Sequence, residues 1–174
     1  MKETPGIIEA LKYSIQMELD GKNFYTLCRK ESTNELGKEL FSWLAEQEDC
    51  HRKRYEELYE LTMQKKGWPV TAIKPGKKAT LRTLFSDAIS KLGTSLETQK
   101  GEFIAVDKAI EMEIKSRDFY KDMAGKSSSE TERDFFTAIS AEEQGHYLSL
   151  IDYKEYMTDP DGWFTRTEHH SLDG

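Results

Sequence analysis

The sequence predicts an all-α protein: an antiparallel four-helix bundle whose second and third helices are joined by a long crossover containing a short helix. Three observations carry this prediction. Apolar residues recur every three or four positions through four long stretches, as a helix with one buried stripe requires. The stretches are two copies of one pattern, because Glu18 and Glu113, Glu48 and Glu143, and His51 and His146 each stand 95 residues apart. The composition, 33% charged and 37% hydrophobic over 174 residues, suits a single domain, 1–174, with an apolar core and a highly charged outside.

Thr4 as N-cap and Pro5 at the first helical position start a helix predicted over 5–31. Its stripe reads Leu11, Ser14, Glu18, Gly21, Tyr25, Cys28, with the small Ser14 and Gly21 expected to leave room beside Glu18. Ser32-Thr33-Asn34 breaks the chain, and Thr33 is expected to cap a second helix that runs to Lys66 and stops at Gly67. That helix buries Phe41, Leu44, Glu48, His51, Tyr55 and Leu58. Residues 67–100 form the crossover, with Gly67-Trp68-Pro69, Lys74-Pro75-Gly76 and a short helix over 81–92 introduced by Thr80. A connection of this length follows if it must run along the bundle from one hairpin to the next.

The third helix is predicted over 102–124, with stripe Val106, Ala109, Glu113, Ser116, Tyr120, Met123. Gly125 and serines 127 to 129 make the second tight turn. The fourth helix, 130–157, repeats the second at its polar positions through Phe136, Ile139, Glu143, His146, Leu150 and Tyr153. Residues 158–174 are expected as a tail in which Trp163 and Phe164 pack on the bundle and Glu168-His169-His170 is a flexible polar end.

A net charge of −7 argues against nucleic acid or an anionic membrane as partner. No apolar run approaches the roughly 20 residues of a membrane span, and the N-terminus lacks a signal-peptide core, so a cytoplasmic location is expected. Cys28 and Cys50 form no Cys-x-x-Cys, which leaves neither a disulfide framework nor a four-cysteine iron site.

Glu48-x-x-His51 and Glu143-x-x-His146 each put a carboxylate and an imidazole on one helix face, one turn apart. Folding the hairpins together brings them to one level with Glu18 and Glu113, giving four carboxylates and two imidazoles. An isolated glutamate on a helix is ordinarily solvated and an isolated core histidine ordinarily bonded to a neighbour. Six such residues in apolar stripes at repeated spacing point instead to metal ligands, since even one uncompensated buried charge costs several kcal/mol. Two divalent cations neutralise the four carboxylates. Oxygen and imidazole ligands without thiolates suit two iron ions, or manganese or a mixed pair. Glu48 and Glu143 are the candidates to bridge the metals, with His51 and His146 each ending one. Tyr25 and Tyr120 are either packing residues or groups bonded to the ligands. Cys50 points away and has no assigned role.

Glu18-x-x-Gly21-x-x-Phe24-Tyr25, Glu48-x-x-His51, Glu113-x-x-Ser116-x-x-Phe119-Tyr120 and Glu143-x-x-His146 resemble the rubrerythrin branch of the ferritin-like superfamily, and the Asp-Pro-x-Gly-Trp-Phe tail is similar to endings in that branch. The resemblance implies a ferritin-like bundle, a non-haem di-iron centre, a homodimer or larger homo-oligomer, and an oxidoreductase acting on peroxide or dioxygen. It differs in two respects. The rubredoxin domain is missing from these 174 residues, so an external electron donor, such as a rubredoxin-like protein, is expected. Ser116 stands one turn after Glu113, where that branch carries more glutamate, which makes the site closer to the symmetric bacterioferritin type. The competing readings are a ferroxidase that handles iron and a non-catalytic helical interaction module.

Overall fold

The computed structural model describes residues 5–64 and 100–169; the expected short helix, and all of the crossover but its last residue, lie outside the described residues. Its helices are α1 (Pro5–Glu31), α2 (Glu35–Met63), α3 (Lys100–Lys126), α4 (Glu130–Thr158) and α5 (Pro160–His169). The all-α bundle is as expected. α1 packs along α2 and α3 along α4, and the two hairpins meet through α1 on α3 and α2 on α4. Every adjacent pair is antiparallel. Gly21 lies at Glu48 while Tyr25 stacks on Phe41, and Tyr25 reaches Glu113 while Tyr120 reaches Glu18. On the other side, Glu48 faces His146 while Tyr55 meets Phe135.

The helix ends differ in places from the sequence expectation. Asn34, not Thr33, caps α2: its side chain accepts from the backbone N–H of Leu36 at 2.9 Å. The cap is displaced by one residue because Ser32 is anchored, its hydroxyl donating to buried Glu102 at 2.6 Å, which leaves Thr33 on the exposed crest of the turn. α2 ends at Met63, with Gln64 as its C-cap. α3 extends about one half-turn beyond the expected range at each end, and Ser129 caps α4. The expected tail is a helix through His169. Asp159 starts it by accepting from the N–H of Gly162 at 3.0 Å, with Pro160 in the first helical position. Trp163 packs edge-on to Tyr156 and donates its indole N–H to Asp152 at 2.7 Å, so the tail's aromatic residues do cover the bundle end.

The apolar interior is divided in two. One half gathers Tyr25, Leu40, Phe41, Leu44, Val106, Leu150, Tyr153 and Trp163; the other gathers Leu11, Tyr55, Leu58, Tyr120, Phe135, Phe136 and Ile139. At about 1.5–3 kcal/mol for each large side chain removed from water, these halves supply the drive to fold. Between them lies a polar layer, at the level of Glu18, Glu48, Glu113 and Glu143. No described helix is long and apolar enough to cross a membrane.

Candidate metal centre

Each helix contributes its mid-length residues to the layer. The 3.6-residue period carries Glu18 onto the buried stripe of α1, Glu113 onto that of α3, and Glu48 with His51 and Glu143 with His146 onto those of α2 and α4. All six are buried, with at most 4% of their surface exposed. Two overlapping groups result, Glu18, Glu48, His51 and Glu143, and Glu48, Glu113, Glu143 and His146; within each group one ligand-type atom per residue lies within 4.8 Å of the others. Glu48 and Glu143 belong to both.

The atoms facing one another are the test of whether metal fits. Glu18 Oε2, Glu48 Oε1, Glu113 Oε2, both oxygens of Glu143, and the Nδ1 atoms of His51 and His146 are buried with no hydrogen-bond partner. His51 Nδ1 is 2.9 Å from Glu143 Oε1 and 3.3 Å from Glu18 Oε2, while His146 Nδ1 is 3.4 Å from oxygens of Glu48, Glu113 and Glu143. Buried polar atoms are almost always satisfied. Their convergence without hydrogen-bond geometry fits groups that could hold metal ions, and oxygen plus imidazole donors suit iron or manganese.

Without metal the layer holds its charge by protonation. Burial, then the charge of Glu18, pushes Glu48 well above the usual carboxylate range. Burial raises Glu113 to about 7 against the opposing pull of His146. Burial would also raise Glu143, but His51 and His146 beside it outweigh that and hold it below its ordinary value. For both histidines burial opposes the charged form, yet the surrounding carboxylates win and push their pKa values well above ordinary imidazole.

A second set of side chains bonds to the residues of this layer. Tyr25 donates its hydroxyl to Glu113 and Tyr120 donates to Glu18, each across from the opposite hairpin. Burial, with added carboxylate charge nearby, keeps both phenols protonated and therefore donors. Both readings of these tyrosines hold: each packs in one of the apolar halves and each bonds a carboxylate of the layer. His51 Nε2 lies 2.8 Å from Glu142 Oε2, and Arg54 Nη1 is 3.2 Å from both oxygens of Glu142. Burial would raise Glu142, but His51 and Arg54 hold it below the usual range. Glu142 and Arg54 were not singled out in the sequence, where the one available signal is an acidic residue just before Glu143.

Gly21 plays a different part from the one expected. A Cβ there would lie 2.4 Å from Glu48 Oε2, so its missing side chain makes room for the carboxylate of the next helix, not for Glu18 on its own. Ser14 instead bonds back to the carbonyl of Ala10 at 2.9 Å. Ser116, at the repeat position of Gly21, is partly buried. Cys28 is buried and Cys50 exposed, both as free thiols.

No curated protein and no solved structure matches the chain. A family model described as Rubrerythrin matches residues 9–154, a stretch that takes in the greater part of all four long helices and every residue of the layer. Two antiparallel hairpins, a repeated Glu then Glu-x-x-His along them and a match spanning both copies lead to one conclusion: the chain belongs to the rubrerythrin family.

Proposed function

We propose that this protein is a di-iron oxidoreductase that reduces peroxide or dioxygen with electrons from an external donor. The observation that carries this reading is the convergence of unpartnered buried oxygens and imidazole nitrogens into two groups that share Glu48 and Glu143. Glu18 and His51 would hold one ion, Glu113 and His146 the other, with Glu48 and Glu143 between them. Two irons held by these residues would supply two electrons to one oxidant.

The chain's own groups prepare that chemistry. Tyr25 and Tyr120 fix one oxygen of Glu113 and of Glu18, leaving the other oxygen of each turned into the layer. The apolar halves on either side keep bulk water from the carboxylates, which strengthens every electrostatic interaction between them. Protons held on the histidines and on Glu48 and Glu113 leave when metal binds.

Anaerobic loading with ferrous ion, followed by peroxide, tests the reading. Two irons per chain, an optical change on adding peroxide, and peroxide consumption that depends on a supplied one-electron donor are expected. Failure to take up iron would overturn the metal assignment. Uptake far beyond two irons per chain, with a shell-sized native mass, would replace reduction of peroxide by iron storage.

A further inference from the structure

The repeat makes the two halves of the layer equivalent in their ligands but not in what stands behind them. Behind His51, Glu142 Oε2 sits 2.8 Å from Nε2, and Arg54 Nη1 donates to both oxygens of Glu142 at 3.2 Å. The repeat partner of Glu142 is Gln47, 95 residues earlier. Among the described residues, the hydrogen bond at His51 has no counterpart at His146, whose ring instead meets the edge of Trp43 with centroids 5.4 Å apart.

The difference has direct chemical consequences. The carboxylate oxygen 2.8 Å from Nε2 accepts from it, which fixes one imidazole proton on Nε2 and leaves Nδ1 as the atom where a metal would take the place of a proton. The same bond stops the ring from turning and increases the basicity of the coordinating nitrogen, the usual effect of a carboxylate behind a ligating histidine. Arg54 holds Glu142 in place, the two side chains being only 17% and 19% exposed. His146 has neither aid among the described residues and is held instead by ring packing on Trp43 and His51.

We propose that Glu142, anchored by Arg54, makes the two metal positions unequal: the group of Glu18, Glu48, His51 and Glu143 takes the first ion and holds it, and the group containing His146 takes the second, exchangeable ion. The inference rests on the two-metal reading above. Glu142 acts as a positioning residue, through His51 and not on the oxidant.

Anaerobic titration of the full chain with cobalt(II) alone, followed by calorimetry and by the visible ligand-field bands, tests it without any turnover. Two steps are expected in the wild type, the first at least about tenfold tighter. Glu142→Gln should weaken the first step by roughly 10–100-fold, with the bands of the first ion altered, and leave the second near its wild-type value. Gln47→Glu, which removes nothing from the fold, should tighten the second step and narrow the gap. Two equal steps in the wild type would overturn the inference, as would a Glu142→Gln variant in which both steps weaken alike, the mark of a purely structural role. A ratio unchanged in both variants also overturns it. Wild-type protein that takes up no cobalt and no ferrous ion would sink the two-metal reading itself, an outcome distinct from two ions bound alike.

Discussion

Replacing Gly21 by alanine separates metal holding from folding. A Cβ at this position would lie 2.4 Å from Glu48 Oε2, 3.2 Å from its Cδ and 3.4 Å from its Cγ, so the Glu48 side chain has to swing aside. What moves is the end of a flexible side chain, and alanine favours a helix interior over glycine by about 1 kcal/mol. The metal-free variant is therefore expected to keep the wild-type stability within about 1 kcal/mol. The displaced carboxylate, however, is one of the two that both groups share. At free ferrous ion a hundredfold above the dissociation constant, the wild type should gain about 2.7 kcal/mol per ion, which for a chain of this size is roughly 5–11 °C in Tm. If the variant binds a hundredfold more weakly, the gain at the same concentration falls to about 0.4 kcal/mol, roughly 1–2 °C. Anaerobic thermal melts with and without ferrous ion read both quantities. An undiminished metal-induced rise in Gly21→Ala would refute the placing of Glu48 as a shared ligand, and a collapse of the metal-free Tm would show that Gly21 serves packing instead.

Three further predictions follow from the same layer and its surroundings. Glu48, Glu113, His51 and His146 all have folded pKa values raised above their unfolded ones, so the folded metal-free chain holds more protons than the unfolded chain and its stability should fall as pH rises past the unfolded carboxylate value near 4.5 and the imidazole value near 6.5. Urea melts of metal-free protein at pH 5.5 and pH 8 should show the lower pH more stable, and metal loading should reverse the order; equal midpoints would contradict this. Tyr25→Phe and Tyr120→Phe each leave a buried carboxylate oxygen without its donor and should cost about 1–3 kcal/mol in the metal-free protein by urea titration, whereas a loss within error would remove the tyrosines from any steering role. Native protein at pH 8 should react with a thiol reagent at one fast site, exposed Cys50, because burial pushes Cys28 up to about 11 and leaves roughly one thiolate in a thousand there; two fast thiols before unfolding would contradict the packing around Cys28.

What was legible in the sequence was whatever repeats along a single helix. The period that puts Glu18 and Tyr25 on one stripe, and the 95-residue offset that writes Glu-x-x-His twice, are properties of the chain read in one dimension, and they sufficed for the bundle and for bringing six residues into one layer. Contacts between helices left no such trace. Gly21 looked like space for Glu18 because the two share a helix, yet it serves Glu48, whose position depends on the register of α2 against α1. Glu142 reads as one more acid on a charged face, and only the antiparallel packing of α2 on α4 sets it behind His51. Thr33 and Asn34 are equally good caps by type, and the choice between them was made by Glu102, some 70 residues away, holding Ser32.

The placing of the six residues predicts that the chain folds without metal. Because the six residues occupy the middle of the four long helices, the apolar stripe continues above and below them, and the interior divides into two aromatic-rich halves. The layer is then a plane of high electrostatic cost held between two favourable ones. Protons on the histidines and on Glu48 and Glu113 lower that cost in the metal-free state, and cations remove it in the loaded state. A site built this way is formed before its metal arrives, so substitutions within the layer should alter metal binding far more than they alter the fold.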